Sequence, residues 1–215
     1  MRNRLTLVLL LTLVWCASTG AFGGCNLFRP AVPEQGSGGV FVVVNYTDPD
    51  SALETMARGL EAKAQGNGLD AYIGALSTPT SGGTAFAATF DPAVPNARNE
   101  PAPSVWGVDE ERRFYSRFVQ DVRSQPFDMQ WSPDPTQNDF IETTHVILHR
   151  RYQVYALPQE GDAERIAVGY ADLDFVYVGT RWFLTRWTDH VDPAVGASPE
   201  NQEDRSFSAR RLENR

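Results

Sequence analysis

The sequence predicts an α+β domain in which a long antiparallel sheet is covered by three helices. Three observations predict it. Asp139–Leu157, Glu164–Val178 and Arg181–His190 read as three long strands, parted only by the short breaks Pro158–Ala163 and Gly179–Thr180. Upstream, apolar residues recur at helical spacing in three separate segments. A sheet of that length cannot stay soluble with both faces bare, so the helices must lie on it.

In chain order, residues 1–24 have the pattern of an export signal. Arg2 and Arg4 precede the apolar run Leu5–Trp15, and small residues follow up to Gly24. The run is too short to cross a hydrocarbon core of roughly 30 Å as a helix, and it suits a secretory leader. Cys16 would leave with that leader, so Cys25 would be the one cysteine of the mature chain, with no partner for a disulfide. Residues 25–48 form a tether with Pro30, Pro33, Gly36, Gly38 and Gly39. Within it, Val40–Tyr46 is an apolar run that either adds an edge strand or lies extended over the domain.

The first helix is expected from Ser51, with Ser51 and Glu54 as a capping box and Leu53, Met56, Ala57, Leu60 and Ala64 along one face. Gly66-Asn67-Gly68 ends it. A short second helix carries Leu69, Tyr72, Ile73 and Leu76. Thr84–Phe90 suits a short strand, and Asp91–Ser104 a proline-rich loop. The third helix is placed at Asp109–Gln125. Its first turn holds Asp109, Glu110 and Glu111, which suit the amide dipoles there, and Phe114, Tyr115, Phe118, Val119 and Val122 make its apolar stripe. Phe127, Met129 and Trp131 alternate with polar residues, the mark of a half-buried strand. Trp182 and Trp187 should fall on opposite faces of the last strand, which would leave one outside the main core. The polar stretch after Asp192, Pro193–Arg215, reads as a disordered tail.

Two resemblances stand on these residues. Phe22-Gly23-Gly24-Cys25 resembles the lipobox of bacterial lipoproteins, in which small residues precede a cysteine that is acylated and becomes the new N-terminus. Phe22 stands where that family usually has Leu. The resemblance implies lipid attachment at Cys25. Asn26 in place of Asp leans towards the periplasmic face of the outer membrane. The order α-α-β-α-β-β-β-β over residues 49–192 resembles the nuclear-transport-factor-two-like (SnoaL-like, cystatin-like) domain, a cone-shaped, strongly curved sheet wrapped around helices. Local phrases, among them Trp106–Glu111 and Arg181–Asp189, resemble predicted bacterial lipoproteins that carry this domain.

Charge narrows the partners. The chain carries a net −8. Without residues 1–24, which hold Arg2, Arg4 and no acid, it has 17 basic against 27 acidic residues, or −10. That excludes a nucleic-acid footprint and electrostatic adhesion to anionic lipid. Envelope attachment would therefore come from the lipid, with a small apolar ligand, an envelope protein or a second copy docked through the sheet as the remaining partners.

The chemistry legible in the chain is sparse. No nucleophile elbow, phosphate loop or dinucleotide fingerprint occurs, and no cofactor is implied. His145 and His149 share one face of a strand but stand about 13 Å apart at roughly 3.3 Å per residue, so one metal ion cannot join them and no metal site is assigned. Some enzymes with the resembled fold use Asp, His or Tyr in the pocket, which makes His145 and then Asp172 the catalytic candidates. Both suit a surface or cross-strand role better, since no acid–base pair at a defined spacing accompanies them. Tyr72, Trp106, Trp131 and Tyr170 are candidate pocket walls, and each is equally at home in a core. The reading is a lipid-anchored envelope protein whose domain binds a ligand or protein. The alternative is an isomerase, dehydratase or hydrolase using acid–base groups in the cone.

Overall fold

The computed structural model describes residues 41–63, 65–94, 103, 105–121, 126–158, 160–195 and 205–214. The leader, Cys25 and most of the tether lie outside these residues. Among them no helix is long and apolar enough to cross a membrane.

Helix α1 spans Pro49–Glu61, α2 Gly68–Gly74 and α3 Val108–Asp121. Strands β1 (Ala87–Thr89), β2 (Phe127–Pro133), β3 (Phe140–Ile141), β4 (His145–Ala156), β5 (Glu164–Val178) and β6 (Arg181–His190) form one sheet, and α4 (Phe207–Glu213) closes the chain. The sheet order is β1-β6-β5-β4-β2, with β3 paired to β4 off that path. Neighbours in it are antiparallel except β1, which runs parallel to β6. This is the expected α+β architecture, a curved sheet around few helices.

Helix α1 is capped three residues earlier than in the capping-box reading. Asp48 is its N-cap and accepts from the Ser51 amide at 2.8 Å, with Pro49 in the first turn. Proline has no amide to satisfy there, so the Asp-Pro pair starts the helix better than Ser51 does. Ala52, Leu53, Met56, Ala57 and Leu60 form the buried face. A Cβ on Gly59 would lie 2.8 Å from the Gly68 carbonyl oxygen, so the glycine permits the close approach of α1 to α2. The buried face of α3 carries Glu111, Phe114, Tyr115, Phe118 and Val119, and residues 122–125, assigned to this helix in the sequence reading, lie outside the described residues.

Three further expectations are corrected, and one of the two readings of Val40–Tyr46 is selected. The strand expected at Asp139–Leu157 is two: β3 folds back on β4, pairing Phe140 with Ile147 and Ile141 with Val146. Residues 142–144 make that turn, an unusual place for β-branched threonines. Trp182 and Trp187 are both in the core, 9% and 0% exposed. The reason is a bulge: Asp174 pairs with Arg186 and Phe175 with Leu184, so Thr185 is an extra residue that reverses the alternation of β6. Phe41–Tyr46 forms no strand. It lies extended on the domain, with the Tyr46 carbonyl accepting from the Trp182 amide at 2.8 Å, Asn67 holding both backbone groups of Val42, and Val42 and Tyr46 buried.

The third of these corrections places the candidate site. The tail read as disordered contains α4, whose Phe207, Ser208 and Arg211 are buried. Phe207, Arg211 and Leu212 recur one turn apart, a period too brief to stand out in a polar segment. The segment also covers an edge. Strand β6 ends opposite Tyr170, leaving the first half of β5 without a partner on that side. Arg205 accepts there from the Val168 amide at 3.0 Å, and the Arg210 guanidinium donates to the Ile166 carbonyl at 2.7 Å. An uncovered edge would invite pairing with another chain.

Candidate functional site

The interior between α3 and the sheet holds a buried polar cluster centred on Glu111 and Arg211. The Arg211 guanidinium meets the Glu111 carboxylate with two hydrogen bonds, 2.9 and 2.8 Å, and both side chains are 1% exposed. The same carboxylate accepts from the Tyr72 hydroxyl at 2.7 Å and the Trp106 indole at 2.6 Å. Glu111 therefore has four donors for its two oxygens, the satisfaction that a buried charge requires.

A second buried acid lies nearby on β6. Asp189 accepts from the Tyr152 hydroxyl at 2.7 Å and from the Ser208 amide at 2.6 Å, and the Tyr152 oxygen in turn accepts from the Phe207 amide at 2.7 Å. The walls of the cone thus hold the first amides of α4. Aromatic rings complete the enclosure. Phe207 packs 4.8 Å from Tyr152, 5.3 Å from Trp187 and 5.9 Å from Phe114, centroid to centroid, and Arg211 stacks 4.5 Å over Trp187. A Cβ on Gly169 would meet the Tyr152 hydroxyl oxygen, so glycine there makes room for the phenol.

The electrostatics follow from burial. Burial holds the Asp189 carboxyl above its ordinary range, opposed by the Arg211 charge and the Tyr152 and Ser208 donors. The Tyr72 and Tyr152 phenols are pushed well up, first by burial and then by the carboxylate each one touches. Burial acts against the Arg211 charge, but Glu111 outweighs it and raises the guanidinium above its usual value. The cluster is a fixed pair of acids holding a fixed cation. Two nearby donors are unused: the indole nitrogens of Trp131 and Trp187 are buried without a hydrogen-bond partner, and their rings are 5.5 Å apart.

The sequence candidates divide between two faces. Tyr72 and Trp106 meet on Glu111, and Trp131 packs against Tyr152 and Trp187. Tyr170 does not join them. It alternates with buried Ala171 and Leu173 and stands on the outer face of β5, so it is no wall of the interior. Asp172 and His145 are also on the outer face. Asp172 lies 2.6 Å from Nδ1 of His149 and 2.9 Å from Nε2 of His190, bridging β4 and β6. His145 pairs with Asp174 at 2.8 Å, and Arg186 reaches the other oxygen of that carboxylate at 2.7 Å. Each histidine thus has a cross-strand acid contact, His149 and His190 sharing Asp172. Among the described residues no group of three His, Cys, Asp or Glu side chains could hold a metal ion.

Sequence reasoning missed Glu111, Asp189 and Arg211. Glu111 did carry a signal: it precedes Phe114, Tyr115 and Phe118 by three, four and seven residues, on the apolar stripe rather than beside it. Asp189 follows Trp187 by two, but its face could be read only with the Thr185 bulge known.

Comparison with known proteins identifies the fold. No family model matches the chain, and no curated protein matches it. Among solved structures it is similar to Rv3472(D26N), a protein of unknown function from Mycobacterium tuberculosis, at 9% identity and a TM-score of 0.51, over 77% of this chain and 82% of that one. It is also similar to an NTF2-like protein with a cystatin-like fold from Novosphingobium aromaticivorans, at 9% identity and a TM-score of 0.46, over 66% and 79%. The likeness bears on the fold alone, a mixed α+β domain with a curved, open sheet and few helices.

Proposed function

We propose that this chain is a lipid-anchored protein of the bacterial envelope, attached through Cys25 at the periplasmic face of the outer membrane, whose α+β domain serves as a binding module rather than a catalyst. One observation carries the second half of the reading. The interior, where an enzyme of this fold would need room for substrate, is filled by the chain's own Phe207 and Arg211. Glu111 there is committed to the Arg211 guanidinium, and Asp189 to the Tyr152 hydroxyl and the Ser208 amide. The outer sheet face stays accessible and offers both signs of charge, through Arg186 and the Asp172 and Asp174 pairs with histidine. Such a surface suits a protein partner, and the tether would hold the domain within reach of one near the membrane.

Metabolic labelling with a fatty acid tests the anchor: the wild type should be tagged and Cys25→Ser should not. Labelling of the serine variant, or none of the wild type, rejects it. For the module, the intact purified chain should turn over no hydratable or isomerisable apolar carbonyl compound. Turnover that is lost in His145→Ala or Asp172→Asn would restore the enzyme alternative.

A further inference from the structure

We propose that the interior between α3 and strands β4 and β6 is a receptor for an arginine-bearing aromatic segment, and that α4 is its occupant in cis, held as an exchangeable ligand. This deepens the binding-module reading and rests on it.

Helix α4 is bound in the manner of a ligand. The sheet path β1-β6-β5-β4-β2 includes no strand from it, and residues 191–206 lie between it and the end of β6. Its two buried anchors, Phe207 and Arg211, are one helical turn apart and so leave a single face of the helix together. The cone supplies the partners for both: aromatic walls for the ring, and Glu111 and Trp187 for the guanidinium. It also takes the Phe207 and Ser208 amides through Tyr152 and Asp189, so that helix start is capped partly by the receptor and only partly by its own Ser206.

The chemistry of the emptied site sets the ligand class. Glu111 and Asp189 are both 0% exposed. Without Arg211 these two carboxylates would be buried with no cation, a state that costs several kcal/mol per unpaired ion. An occupant must therefore bring positive charge, and the bidentate geometry at Glu111 favours a planar guanidinium over an ammonium. The Trp131 and Trp187 indole N–H groups are buried without acceptors, beside the ring that stacks on Arg211. In trans the occupant is α4 of a second copy, which brings the same Phe207 and Arg211.

The test uses the whole chain with a protease recognition sequence placed within residues 196–204. After cleavage, a fluorescein-labelled peptide of residues 205–215 is added in excess and its anisotropy followed. The labelled peptide should exchange into the cleaved protein saturably. Peptides with Arg211→Gln or Phe207→Ala should bind at least about 100-fold more weakly, and Arg211→Lys should fall between. Three results overturn the proposal: no exchange, equal binding of the Arg211→Gln peptide, or loss of the fold on cleavage that added peptide does not restore. These failures are distinct from failure of the module reading, which would appear as turnover by the uncut chain.

Discussion

Replacing Arg211 with Met should be among the most damaging single substitutions in this domain. The new side chain has similar length and no charge. It leaves Glu111 buried with only the Tyr72 and Trp106 donors, and it removes the cation that faces Asp189. Breaking a buried ion pair from one side typically costs about 3–5 kcal/mol. Loss of the stack on Trp187 adds up to about 2 kcal/mol where the cation is desolvated. For a domain of this size each kcal/mol lowers the melting temperature by about 2–4 °C, so a drop of about 6–20 °C is expected from the ion pair alone. Adding Glu111→Gln should recover about 1–3 kcal/mol, because a neutral amide oxygen can still accept from Tyr72 or Trp106 without a buried charge. Glu111→Leu should recover less, since two buried donors then lose their acceptor at about 1–3 kcal/mol each. Urea unfolding of the three variants and the wild type measures this. A cost below about 1 kcal/mol for Arg211→Met, or no rescue by Gln, would refute the assignment of Arg211 to the interior.

Asp189 predicts a pH signature. Its folded value is raised above 3.8 by burial, so the native state binds the proton more tightly; its contribution to stability is present below 3.8 and is lost as the pH rises through the folded value. Urea midpoints of Asp189→Asn should accordingly fall less across that window than those of the wild type, and equal slopes would count against it. Asp48→Ala should cost about 1 kcal/mol as the loss of an N-cap, with Glu54→Ala costing less, checked by thermal melts. Deleting Thr185 should return β6 to strict alternation while leaving Trp187 opposite Leu173 and Asp189 opposite Ala171, both still on the inner face. That variant should keep its tryptophans buried, seen as unshifted tryptophan emission, and a red shift to solvent-exposed emission would contradict the bulge.

The parts of the fold legible in the sequence are those with long, regular patterns. Strands β5 and β6 lie where the alternation and the Gly179-Thr180 turn place them, and the stripe of α3 from Phe114 to Val119 is buried as its spacing indicates. Illegible parts depend on single residues or on distance. Thr185 changes which face every later residue of β6 occupies, and nothing in Arg181–His190 marks it as an insertion. Helix α4 is seven residues long, too short for a helical period to declare itself and dependent on tertiary contacts for its stability. The candidate site was therefore half visible. Tyr72, Trp106 and Trp131 could be picked out as aromatic, but the carboxylates and the arginine that organise them belong to segments far apart in the chain. Their charges read as surface because a charged residue usually is.

The central claim is that the chain fills its own cone with α4, and proton NMR of the intact protein tests it most directly. The Phe207 ring should show nuclear Overhauser contacts to the rings of Tyr152 and Trp187, and the Arg211 Nε proton should be slow to exchange and visible at neutral pH. Random-coil shifts for Phe207 and Arg211, with none of those contacts, would contradict it.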